Sequence, residues 1–240
     1  MTPRTIVATD FFSEVFQELH ALPLIGFGIA ALIGVLSLGS DIAFRALDAI
    51  HPMLANVMGG LFVLTWFLAY FSVTMISAKV KVSWRGGIKF GSSVLANVGV
   101  PLGLLFGGIW LTRFSDGAGV LILSAAALYL MIVMPMLSGW PLAQTVGQGL
   151  VSPLRVLKAS KGHRWGLFAA SYLSTAINKI FPATDTAKSF KQAMLLGVGN
   201  GAVTAASLLI LAIVASTAWK FACQNDPTLC EESNTCIVPE

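Results

Sequence analysis

Two short stretches of the chain concentrate its positive charge. Lys79, Lys81, Arg85 and Lys89 fall within eleven residues, and Arg155, Lys158, Lys161 and Arg164 within ten, with Trp165 directly after. Together they hold eight of the 15 Lys and Arg residues and none of the 11 Asp and Glu residues. Ammonium and guanidinium groups at this density attract phosphate. Near a bilayer each contributes about 1 kcal/mol against anionic headgroups, and an indole prefers the half-wet interface. These nine residues are therefore the candidate contacts for a lipid headgroup or a partner. Written as a helix, "GLVSPLRVLKASKG" sets Leu150, Leu154 and Leu157 on one side and Arg155, Lys158 and Ser160 elsewhere, with Gly162 as a stop. Such a segment can lie flat on a leaflet.

Catalytic sets are missing from the local spacing. His20, His51 and His163 fall in different segments, and neither an HExxH motif, a phosphate-binding glycine loop nor a Ser-His-Asp arrangement occurs. The reading is a non-enzyme with no cofactor. Cysteine is confined to Cys223, Cys230 and Cys236, whose spacings match no zinc pattern, so no metal site is expected.

The elements that must position these residues are membrane helices. Of 240 residues 56% are hydrophobic and 11% charged, with mean hydropathy +0.80, against about 25% charged in a soluble domain. Apolar runs of about 20 residues, the length that crosses roughly 30 Å of hydrocarbon, recur along the chain. Spans are expected near 22–38, 53–78, 94–112, 120–137 and 194–222, giving one transmembrane helical domain over 1–222. The residues leading into the first run, "DFFSEVFQELHAL", place Phe11, Phe12, Val15, Phe16, Leu19 and Leu22 opposite Ser13, Glu14, Gln17, Glu18 and His20. This predicts an N-terminal amphipathic helix within 1–20, lying at the interface or packed on the protein's own loops, and not a cleaved signal. Residues 40–52 read as a short connector with Ser40 or Asp41 as N-cap, and 223–240 as an acidic, cysteine-containing tail.

The segment 166–181 decides the span count. Its apolar part before Asn178 and Lys179 is short for a crossing. Six spans result if it crosses, the arrangement adopted here because two apolar stretches flanking a hydrophilic hairpin commonly form a helical pair. Five result if it is re-entrant or interfacial. The basic stretches at 79–89 and 155–164 both face the cytoplasm by the positive-inside rule, which puts the N-terminus there too. With six spans the tail is cytoplasmic and its cysteines are thiols. With five it lies outside, where Cys230 and Cys236 could pair.

Within the expected spans no ionisable side chain lies away from an end, unlike the midplane charges of proton- or ion-coupled carriers. Small residues are organised instead. Gly99, Gly103 and Gly107 recur every four positions, as do Gly197, Gly201 and Ala205, and Gly26, Ala30 and Gly34. Each series makes a flat face for close helix packing.

The order Ser152, Leu157, Ser160, Gly162, Trp165, Leu167, Phe168 resembles the repeated motif of the membrane-domain family found beside glycerophosphodiester phosphodiesterases, in which a serine and a Ser/Thr precede Gly-x-x-Trp at the entry to a membrane helix. Pro153 stands where that family has tryptophan. The resemblance covers about 20 residues, 150–170, and implies a six-helix bacterial inner-membrane protein without catalytic residues of its own.

The expected role is an accessory or structural membrane component that binds lipid or protein partners, possible partners being other membrane proteins or a second copy. The net charge of +4 sits in loops and forms no basic domain, so nucleic acid is excluded. A small channel or carrier for a neutral or lipid-like solute is the alternative.

Overall fold

A computed structural model describes residues 8–47, 51–81, 83–147, 149–177, 179–182 and 187–230, with backbone alone for 8 and 45–47. Asn178, Cys236 and the tail acids Glu231, Glu232 and Glu240 lie outside the described residues. The chain is all-helical, with no strand among those residues. In order, the helices are α1 (Ala8–Ala21), α2 (Leu24–Leu47), α3 (Pro52–Ala78), α4 (Trp84–Leu111), α5 (Asp116–Leu128), α6 (Met134–Met136), α7 (Trp140–Val146), α8 (Pro153–Ala159), α9 (Arg164–Ile177) and α10 (Phe190–Asn225).

Five helical stretches among the described residues are long and apolar enough to cross a membrane: Leu24–Phe44, Pro52–Ala78, Trp84–Leu111, Asp116–Met136 and Phe190–Asn225. The protein is thus of the multi-pass membrane class. The stretch expected at 166–181 is not among the five. Its helix, α9, has 14 residues and rises only about 21 Å at 1.5 Å per residue.

Several ends differ from the hydropathy pattern for local reasons. Ser83, in an extended conformation, accepts from Gly86 N–H at 3.0 Å and starts α4 ten residues before the apolar run at 94, so Arg85 and Lys89 sit on its first turns. Residues 40–47 continue α2, and Ser40 and Asp41 are interior to it rather than caps of a separate connector, since Gly39 alone does not end a helix. The α5–α6 span passes through a π-helical turn at Tyr129–Val133 just ahead of Pro135, which lacks an N–H and would crowd the carbonyl four residues back.

The chain divides into two compact units. One comprises residues 1–15, 80–169 and 214–240. Its α4–α5 hairpin closes where Ser115 caps α5 and where Gly108 and Gly119 leave room for Leu123 and Thr112, each of which a Cβ would strike. Tyr129 donates to Asn97 Oδ1 at 3.0 Å across the pair. Gly139 rests on the backbone of Trp219 in α10, where a Cβ would come within 2.8 Å of its nitrogen. Phe11 of α1 is fully buried, its ring parallel to that of His163 at 5.9 Å and 5.7 Å from Phe221.

The other unit comprises residues 16–79 and 170–213. Its core joins Leu22, Ala30 and Ile33 to Ala69 and Val73 of α3 and Leu208 and Ala212 of α10. Gly34 and Gly201 face each other so closely that a Cβ on Gly34 would lie 2.8 Å from the Gly201 carbonyl oxygen. One turn away, the Ser37 and Thr204 hydroxyls are 3.4 Å apart.

Candidate functional site

The basic stretch at 155–164 is held by groups far away in sequence. Pro153 starts α8 at a position where its missing N–H costs nothing, and Val156 and Ala159 turn inward. Arg155 and Lys158 are left exposed on the outer face, beside the exposed Leu150 and Leu154. The end of α10 then docks on α8. Asn225 Nδ2 donates to the Ala159 carbonyl at 2.8 Å, satisfying an acceptor at the helix end. Arg155 Nε donates to Asp226 Oδ2 at 2.7 Å and its Nη2 to Oδ1 at 3.2 Å, a two-point ion pair.

Between them lies a cavity of about 270 Å³ lined by Arg155, Lys158, Ala159, Lys161, Gly162, Asn225 and Asp226. Three cations line it against one carboxylate, and of those three only Arg155 has an ion-pair partner among the described residues. Partial burial raises the Asp226 carboxyl, but hydrogen bonds from Thr228 and Arg155, together with the guanidinium charge, outweigh it and leave the acid below its usual range. Asp226 is therefore ionised at neutral pH, and the pocket still carries excess positive charge. Such a site can hold an anion of phosphate size. Beside it, Arg164 lies 5.7 Å over the Trp165 ring, and that ring is 67% exposed and meets Phe168 edge-on.

The remaining expected contacts have other places. Lys89 donates to the Gly147 carbonyl at 2.6 Å just past the end of α7, so its charge closes a helix terminus. Lys79 is the left-handed C-cap residue of α3, with φ 56°. Lys81 and Arg85 are exposed. Of the nine residues the pocket gathers Arg155, Lys158 and Lys161. Sequence reasoning missed Asn225 and Asp226, which lie more than 60 residues from their partners in α8.

Of the packing glycines, Gly201 makes the contact with Gly34 described above and Gly197 is buried in α10. A Cβ on Gly99, Gly103 or Gly107 would meet nothing within 4 Å, so that face of α4 is open in the single chain. A second, apolar cavity of about 690 Å³ lies along α2 and α10, lined by Phe27, Gly34, Gly201 and their apolar neighbours.

The cysteines also depart from expectation. Cys223 pairs with Cys230, rather than Cys230 with Cys236 or none at all. Asp226 N–H continues the α10 ladder to Ala222, and the 3-10 turn at Pro227–Leu229 then doubles the chain back, setting the two Cα atoms 5.8 Å apart. Among the described residues no cluster of three His, Cys, Asp or Glu side chains could hold a metal ion.

No family model matches the chain, and neither a curated protein nor a solved structure does. The functional reading rests on the geometry above.

Proposed function

We propose that this protein is a non-catalytic component of a bacterial inner membrane that holds a phosphate-bearing lipid headgroup in the pocket between α8 and the end of α10. The observation that carries the reading is the pair Lys158 and Lys161, cations with no ion-pair partner among the described residues, lining a cavity of about 270 Å³ next to exposed leucines and an exposed tryptophan. Cations, aliphatic side chains and an indole on one surface suit the headgroup layer.

The proposed arrangement has six crossings with a cytoplasmic N-terminus. Its support is a parity argument. Arg155 and Ala159 bond directly to Asp226 and Asn225, so the 155–164 stretch and the end of α10 share one side of the membrane. With α10 taken as one crossing between Phe190 and Asn225, a further crossing between 165 and 189 is the arrangement that keeps those bonds on one side. α9 supplies about 21 Å of that path. Positive charge at 79–89 and 155–164 assigns this shared side to the cytoplasm.

The test is lipid binding by the full chain in detergent, read by native mass spectrometry. Palmitoyl-oleoyl phosphatidylglycerol should bind more tightly than the phosphatidylcholine analogue, and the K158A/K161A double variant should lose about 25-fold in affinity for the anionic lipid, at about 1 kcal/mol per cation. Millimolar inorganic phosphate should fail to displace the lipid; displacement would assign the pocket to free phosphate. Unchanged affinity in the double variant would overturn the reading.

A carrier for a lipid-like solute is a second reading, favoured by the apolar groove along α2 and α10, whose volume would take an alkyl chain. Uptake of a labelled lipid analogue into proteoliposomes would support it.

A further inference from the structure

The Cys223–Cys230 disulfide closes a ring containing both residues that fasten the end of α10 to α8. Asn225 and Asp226 lie within it, Thr228 donates to the Asp226 carboxylate from the same ring, and buried Leu229 anchors its far side. Both cysteines are only half-buried, so a small thiol can reach them. With six crossings they lie on the cytoplasmic side, where the glutathione and thioredoxin pools keep most thiols reduced.

We propose that this disulfide is a reversible redox latch on the basic pocket, holding Asp226 against Arg155 when oxidised and letting the carboxylate swing away when reduced, so that reduction strengthens binding of a phosphate headgroup. The inference rests on the headgroup reading for its consequence and on the six-crossing arrangement for its setting. The latch itself stands on the ring and its two bonds to α8. Closing the ring covalently shortens the excursions available to Asn225 and Asp226, and opening it restores them. Loss of Asp226 from the wall takes the local balance from three cations and one acid to three cations alone.

The oxidant is a low-molecular-weight disulfide, RSSR. One cysteine thiolate attacks it, forming a mixed disulfide and releasing RS⁻; the second thiolate attacks the protein sulfur of that bond, forming Cys223–Cys230 and releasing a second RS⁻. Two electrons pass from the protein sulfurs to RSSR, and the two thiol protons end on two RSH. Excess RSH reverses both steps.

The experiment uses the full chain in phosphatidylcholine nanodiscs, with Cys236→Ser so that only two thiols respond, in oxidised glutathione or in dithiothreitol. Amide hydrogen exchange of 153–162 and 225–230 should quicken by at least about tenfold on reduction. C223S and C230S should each show the faster rate in both buffers. Equal exchange in the two buffers overturns the latch. Binding of soluble dibutanoyl phosphatidylglycerol should be about fivefold tighter in the reduced protein, the worth of one charge at the surface, and D226N should bind at the reduced level in both buffers. Redox-dependent exchange with unaltered lipid binding in K158A/K161A would keep the latch and sink the headgroup reading. Redox-independent exchange with weakened binding in that variant would do the reverse. In unstressed cells the two cysteines should alkylate as thiols and become protected after a membrane-permeant thiol oxidant. A bond already complete in unstressed cells would make it a permanent link and overturn the latch.

Discussion

His163 shows how a single residue can set the acid limit of the fold. It is 1% exposed, neither ring nitrogen has a hydrogen-bond partner among the described residues, and the rings of Phe11 and Phe221 lie against it. Desolvation therefore pushes its pKa down to about 4, from an ordinary 6.5. Between those values the unfolded chain takes up a proton that the folded chain refuses, so stability falls as pH drops through that window, by about 1.4 kcal/mol per unit at most. Wild type should lose about 2–3 kcal/mol more between pH 7 and pH 4.5 than H163L, measured by unfolding midpoints. Parallel pH slopes for the two proteins would contradict the buried neutral ring. Asp226 acts in a separate window. Its depressed pKa contributes stability that is present above the ordinary carboxylate range, about 4, and lost as pH falls below it. Nothing in the local sequence marks His163 as buried, because its partners come from residues 11 and 221. The glycine series were readable, but which of them makes contact within the chain was not. Gly201→Leu forces a side chain into the Gly34 backbone and should cost about 1–3 kcal/mol or more, whereas Gly103→Leu meets open space and should leave the thermal stability of the monomer unchanged. Equal destabilisation by both would overturn this assignment.

Among the elements, the long spans were legible because composition alone decides them: twenty apolar residues in water have nowhere else to go. What hydropathy could not supply was where polar residues extend a helix beyond its apolar run, as Ser83 does for α4, or what a short helix does. α9 is the case in point. By length it falls short of a crossing, and the bonds from α8 to the end of α10 bear on its course. The six-crossing proposal makes opposite forecasts for the two ends of this segment. A cysteine placed at Lys158 should resist a membrane-impermeant maleimide in intact cells, and one placed at Lys188 should react. Labelling at neither position, with both reacting after permeabilisation, would return α9 to the interface and α10 to the opposite orientation. The docking bonds would then have to break in the membrane.

At the scale of the whole molecule, eight of the 15 Lys and Arg residues fall in two stretches without a single acid, so the electrostatic attraction to surrounding lipid is concentrated there. Eight exposed or partly exposed cations face only sparse acid, and within the pocket Asp226 compensates Arg155 alone. Self-repulsion among the remainder is relieved when an anion enters, and a ligand that binds only the folded state raises its stability by RT ln(1 + [L]/Kd), about 2.7 kcal/mol at a hundredfold excess over Kd. Replacing a fifth of the phosphatidylcholine in nanodiscs by phosphatidylglycerol should therefore raise the unfolding temperature by several degrees, on the order of 2–4 °C per kcal/mol for a chain of this size. The gain should shrink in K158A/K161A and survive in K81A/R85A, whose side chains lie outside the pocket. If the two double variants lose it equally, the lipid is recognised by diffuse surface charge, and the cavity between α8 and α10 has no special claim on it.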